Sequence, residues 1–195
     1  MRIRIWLFAL ACSAAALFSG CGYNAIQANE EAVKAAWGDV ESAYQRRLDL
    51  IPNLVTVVRS YASHERETLL AVTEARARAA EVKLSSAMLE DPQALAKFQQ
   101  AQGELGSSLS RLMVVVERYP DLKASQNFLD LQNQLEGTEN RIHVARSRYN
   151  AAVEQFNTSI RVFPNNLTNK YLLHLKLKES FAADEGAARA PRVDL

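Results

Sequence analysis

FLDLQNQLEGTENRIHVARSRYNAAVEQFNTSIRVF, residues 128–163, decides the fold. Its apolar or small residues fall at Phe128, Leu131, Leu135, Thr138, Ile142, Ala145, Tyr149, Val153, Phe156, Ile160 and Phe163. The ten steps between them are threes and fours covering 35 residues, a mean of 3.5. That period draws one stripe down a helix and is the spacing at which helices pack side by side. A half-buried strand would alternate with a period of two. The stretch predicts one long helix that stops at Phe163-Pro164.

Working outward, Leu95, Phe98, Leu105, Leu109, Leu112 and Val116 give the same spacing. Asp91-Pro92 opens this helix, with Asp as N-cap and Pro at the first helical position, and Tyr119-Pro120-Asp121 closes it. Gly103 and Gly106 weaken it and leave room for a neighbouring helix. Further upstream the stripe runs through Ile26, Val33, Trp37, Val40, Tyr44, Leu48 and Ile51, then Val55, Val58, Ala62, Leu69, Val72 and Ala79. Pro52 removes an amide and crowds the carbonyl of Leu48, so the expectation is two helices, about 24–50 and 52–83, or one bent rod. Four amphipathic helices with short links imply an all-α protein, an antiparallel four-helix bundle kinked or broken at Pro52. A short terminal helix is expected within 166–181, and 182–195 reads as a disordered tail.

Composition agrees and limits function. The 195 residues are 48% hydrophobic with 7 Gly and 5 Pro, too few for a chain of many short strands. Charge balances at +1, which leaves no electrostatic footprint for nucleic acid. Two Cys and three His build neither a disulfide framework nor a zinc cluster.

The first twenty residues read as an address. Arg2 and Arg4 precede an apolar run from Ile5 to Phe18, then Ser19-Gly20-Cys21. About 14 helical residues rise about 21 Å, short of the roughly 30 Å hydrocarbon core, which suits a signal segment better than a span. Small residues before Cys21 resemble a bacterial lipoprotein signal, so Cys21 is the expected lipidation site and the mature N-terminus. An uncleaved signal anchor is the alternative, and both tether the body. The expected segments are then a signal at 1–20, a helical body at 21–181 and the tail. The expected location is outside the cytoplasm, on the periplasmic face of the outer membrane if the source is Gram-negative.

No reaction centre is visible. His64-Glu65 lacks the second His four residues on, since position 68 is Thr68, and His143 and His174 do not pair with it. No glycine-framed serine and no phosphate-cradling loop stands out. The expectation is no enzyme, no metal, no cofactor, no small-molecule substrate and no nucleic acid. Polar rows are more telling. Glu139, Arg146, Asn150 and Asn157 share one helix face, and Arg46, Asp49 and Asn53 follow at steps of three and four. Such rows serve as a buried network that sets helix register, a partner-binding groove, or a solvated boundary, and all three readings stay open.

These residues carry a likeness. Arg46-Arg47-Leu48-Asp49-Leu50-Ile51-Pro52-Asn53-Leu54-Val55 resembles the signature of the LemA family. Ala62-x-His64-Glu65, Ala75-Arg76 and Glu117-x-Tyr119-Pro120-Asp121-Leu122-Lys123 follow in order. Thr138-Glu139-Asn140-Arg141-Ile142, Ala145-Arg146, Tyr149-Asn150, Phe156-Asn157 and Phe163-Pro164 complete the pattern. Gly20-Cys21-Gly22-Tyr23-Asn24 is similar to the start of lipoprotein-type members. The resemblance implies a membrane-attached four-helix bundle outside the cytoplasm, with envelope or membrane-organising roles and no shared reaction. Some relatives neighbour membrane-bound protease genes, and one branch belongs to magnetosome membranes. The expected function is an anchored, non-enzymatic envelope protein that offers its helices to unidentified envelope partners. An adaptor or chaperone-like helper of an envelope protease or a membrane-organising protein is the alternative. The best surface candidates are Arg46 to Asn53 and the loop with Tyr119, Asp121 and Lys123.

Overall fold

A computed structural model describes the backbone of residues 2–82 and 86–182 and the side chains of 22–82 and 88–182. The expected signal side chains, Cys21 and the tail beyond 182 lie outside the described side chains. The described residues are helical with no strand: α1 (Arg2–Tyr61), α2 (Arg66–Glu81), α3 (Pro92–Val116), a one-turn α4 (Pro120–Lys123), α5 (Gln126–Ser159) and a one-turn α6 (Asn165–Thr168). A 3-10 turn (Ser86–Glu90) precedes α3, and a π-turn (Asn169–Leu173) follows α6.

The apolar stripes are the core. All the positions read from the sequence on α1, α2 and α3 are buried, and so are those on α5 from Phe128 to Ile160. α1 lies antiparallel to α5, with Trp37 against Tyr149 and Arg47 against Glu139. α2 lies antiparallel to α3, with Glu65 against Arg118 and Arg78 against Glu104. At the start of α3 the Asp91 carboxylate accepts from the amides of Gln93 (2.9 Å) and Ala94 (3.1 Å), as the Asp-Pro pair predicts. Such a cap contributes about 1 kcal/mol.

Two sequence expectations change. The chain does not break at Pro52; α1 runs through it to Tyr61, and the break falls at Ala62–Glu65. Pro52 cannot donate to the carbonyl of Leu48. Arg76 on α2 donates its Nε–H to that carbonyl at 2.8 Å, so the missing partner is supplied from the next helix. Next, α5 ends at Ser159, and Phe163, expected on the buried stripe, is 78% exposed. Once the helix stops, the 3.5-residue rhythm no longer dictates direction. The short helix expected within 166–181 is present as α6 and the π-turn, which together cover residues 165–173. After the π-turn, His174 adopts φ +53° and the chain runs back as a strap of irregular structure, residues 174–182. Of the two α3 glycines, Gly106 makes room for a side chain: a Cβ there would lie 3.2 Å from the Arg47 guanidinium, while Gly103 faces open space.

Candidate functional site

The polar row on α5 meets the strap. Asn150 and Asn157 are seven residues apart, two helical turns or about 10 Å. Lys178 and Phe181, three residues apart in extended chain, span a similar distance, about 10 Å. An asparagine amide offers one acceptor and two donors, so it can pair with both backbone groups of one residue. Asn150 accepts from the Phe181 amide (2.9 Å) and donates to its carbonyl (3.1 Å). Asn157 treats Lys178 in the same way, at 2.9 Å in both directions. Asn169 holds Leu175 identically, at 2.9 and 3.0 Å. The strap is thus clasped at every third residue, 175, 178 and 181. Tyr149 donates its hydroxyl to the Glu179 carbonyl (2.6 Å), Arg146 donates to the Ala182 carbonyl (2.9 Å), and the Glu179 amide donates to the Leu89 carbonyl (2.8 Å).

Two strap side chains turn inward. The Phe181 ring stacks on Trp37 at 5.9 Å between centroids and meets Tyr149 edge-on at 5.4 Å, with the Arg146 guanidinium 5.1 Å above it. Lys178 is buried; its ammonium lies 2.6 Å from Glu90, 3.8 Å from Glu30 and 5.7 Å from the Phe156 ring centre. The hydrogen bond from Lys178 holds the Glu90 carboxyl below its ordinary value. Burial, with the nearby Glu179 charge, pushes the Tyr149 phenol well up, so it stays a donor. Trp37 Nε1 is buried beside this box with no hydrogen-bond partner.

The other sequence candidates go elsewhere. Glu139, on the same row, turns to α1: its Oε1 lies 2.8 Å from Nε of Arg47, whose Nη1 also donates to Gln102 of α3 at 3.4 Å. Arg46, Asp49 and Asn53 are exposed, with Asp49 accepting from Gln45 at 2.8 Å. Arg46 borders a groove of about 470 Å³ with Arg141 and Arg148. At the far tip Tyr119 donates its hydroxyl to Glu65 (2.9 Å), which pushes its pKa up, while Lys123 pairs with Glu117 and Asp121 is exposed. His64, His143 and His174 are exposed. Among the described residues no three His, Cys, Asp or Glu side chains gather to hold a metal ion. No helix among the residues whose side chains are described is long and apolar enough to cross a membrane.

The motifs thus sit at contacts: Pro52 with Arg76, Glu65 with Tyr119, Asn150 and Asn157 with the strap. The sequence pattern of the LemA family matches residues 36–195. The chain belongs to the LemA family. Magnetosome protein MamQ of Magnetospirillum gryphiswaldense is 27% identical to it over 158 residues, 73% of this chain and 58% of that protein. Magnetosome protein MamQ 2 of Paramagnetospirillum magneticum is 28% identical over 160 residues, 74% and 59% of the two chains. Protein LemA of Metamycoplasma hominis is 24% identical over 143 residues, 73% and 61%. The chain spans about three fifths of the length of these curated relatives. Gln102, Glu30, Glu90 and Lys178 were not among the sequence candidates; Trp37 was read as core only, and Arg47 lay within the expected Arg46 to Asn53 surface but is buried. The burial of Arg47 carried a signal, since it stands seven residues after Val40 and four before Ile51, on an otherwise apolar face.

Proposed function

We propose that this LemA-family chain is a lipid-anchored, non-enzymatic cell-envelope protein whose helices form an antiparallel four-helix bundle. Its α5 groove binds an extended segment of another envelope protein. The observation that carries this reading is the asparagine clasp. It reads backbone amides and carbonyls, which every peptide has, and leaves selectivity to the Phe181 box and the Lys178 pocket. The chain's own strap is the resident occupant, so a partner segment must compete with a tethered ligand at high effective concentration. The charged groups of the site are spent on ion pairs and backbone contacts, which suits recognition better than acid–base chemistry.

A labelled peptide of sequence 174–182 tests it by fluorescence anisotropy on the full chain in detergent. A Lys178→Ala, Phe181→Ala chain should bind that peptide at least roughly tenfold more tightly than wild type, because its own strap competes less. Adding Asn150→Ala and Asn157→Ala should abolish the gain. Absence of binding to the weakened-strap chain makes the clasp an internal brace and overturns the reading. The anchor is tested separately: palmitate should label wild type and not Cys21→Ala.

A further inference from the structure

Half of the twelve large apolar side chains exposed among the described residues lie between Val162 and Leu177. Phe163 is 78% exposed, Leu172 69%, Tyr171 68% and Leu167 46%. Single exposed apolar residues are ordinary, but a set gathered on one short stretch marks a contact surface. Along this stretch of chain the charges are one-sided: no Asp or Glu stands between Glu154 and Glu179, while Arg161, Lys170 and Lys176 are exposed, Lys176 also lying within the field of Glu90. The Lys170 ammonium sits 5.4 Å from the centre of the Tyr171 ring.

The position of this stretch is as informative as its chemistry. A Cβ on Gly22 would lie 2.7 Å from Asn165 Oδ1 and 3.5 Å from Thr168 Oγ1, so α1 abuts α6 at Gly22. The N-terminal segment therefore enters the body beside the apolar set. The opposite tip, at Ala62–Glu65, is roughly 60 Å away along α1 at 1.5 Å per residue.

We propose that this end is a membrane-contact face. Phe163, Leu167, Tyr171 and Leu172 settle into the boundary between headgroups and acyl chains of an anionic bilayer. Arg161, Lys170 and Lys176 reach lipid phosphates, as aromatic, aliphatic and basic side chains do together at interfaces. A tether alone leaves the body free to swing, and a second contact holds α1 and α5 upright with the far tip projecting. A second copy fits this face less well, because a two-fold interface sets the three cations against their own images. The proposal rests on N-terminal attachment, by lipid or by an uncleaved signal anchor, and on neither one in particular.

The test places an environment-sensitive thiol label at Leu172→Cys or at Ser63→Cys of the opposite tip, in a Cys12→Ala background. The unsubstituted chain reports any signal from Cys21. The full chain is reconstituted in phosphatidylethanolamine–phosphatidylglycerol vesicles carrying a doxyl-labelled lipid quencher. Quenching at 172 should exceed that at 63 by roughly fivefold, because an interfacial side chain lies within reach of lipid and a distant one does not. Phe163→Ser with Tyr171→Ser, both exposed, should remove most of that difference with the thermal unfolding curve unchanged. Equal quenching at the two sites overturns the proposal. So does energy transfer between labelled copies at 172 without lipid quenching, which gives the face to a second copy. Palmitate labelling of Cys21 decides the lipid anchor independently, so the two failures are distinguishable.

Discussion

The core has two halves built from different materials. Near the far tip it is aliphatic: Leu54, Val58, Leu105, Leu112 and Leu122 interlock with Ala62, Ala75 and Ala79, and Phe128 is its one buried ring. Toward the N-terminal end it is aromatic: Trp37, Tyr44, Phe98, Tyr149, Phe156 and Phe181. The difference follows the walls. α1, α2, α3 and α5 all line the aliphatic half, and small side chains let them approach. α2 stops at Glu81 and α3 starts only at Pro92. In the aromatic half α2 contributes no buried residue and α3 only Leu95 and Phe98, so rings and the strap cover α1 and α5 there. One half is closed by helices, the other by the nine residues of the strap.

That contrast predicts unequal responses to similar damage. Leu54→Ala, in the aliphatic half, should cost about 2–5 kcal/mol and lower the whole thermal transition measured by circular dichroism. At about 2–4 °C per kcal/mol for a domain of this size, the shift is on the order of 10 °C. Phe181→Ala removes a larger side chain yet should shift the transition less. Its cost is capped at the free energy that docks the strap, because the strap can lift while α1 and α5 stay wound. Hydrogen exchange at the Lys178 and Phe181 amides should accelerate instead. An equal fall in the transition for both variants, with no local change in exchange, would break the contrast.

Within the aliphatic half, Arg76→Ala is next in size. It leaves the Leu48 carbonyl without a donor, at about 1–3 kcal/mol for a buried unsatisfied group. Pro52→Ala returns an amide to that carbonyl. Arg76→Ala should therefore cost clearly less in the Pro52→Ala background than alone, and a double-mutant cycle of unfolding free energies measures the difference. Additive effects would mean that Arg76 contributes by packing alone.

How much of this was legible follows from what is local. The stripes on α1, α2, α3 and α5 could be read because helical period is a property of neighbouring residues. The break at Ala62–Glu65 could not, since no Gly or Pro marks it. Glu65 is tied down by Arg118 and Tyr119, more than fifty residues away. At Pro52 the local rule correctly named a carbonyl without its amide, but not the distant donor, Arg76, that serves it. The row Arg146, Asn150, Asn157 was visible as spacing, but its partner was not, because an extended strap has no period and lies 21 to 36 residues downstream. Lys178 and Phe181 therefore read as part of a short terminal helix rather than as core.

The smallest expected effect is a pH dependence confined to the aromatic half. Glu90 is held below its ordinary value of 4.5 by the hydrogen bond from Lys178. A carboxyl with a depressed folded pKa favours the folded arrangement fully above its unfolded pKa. It loses that contribution as pH falls through the lower folded value. Acidification should thus loosen the strap before it unwinds α1 or α5, because protonating Glu90 leaves the buried Lys178 ammonium with Glu30 alone at 3.8 Å. Trp37, stacked on Phe181, reports this by fluorescence in a Trp6→Phe chain. Its emission should change below about pH 4.5 while the helical circular dichroism holds, and Glu90→Gln should show the shifted emission already at neutral pH. If emission and helicity fall together in both chains, the strap is part of one cooperative unit with the helices. Strap and helix core would then differ in composition but not in their ability to separate.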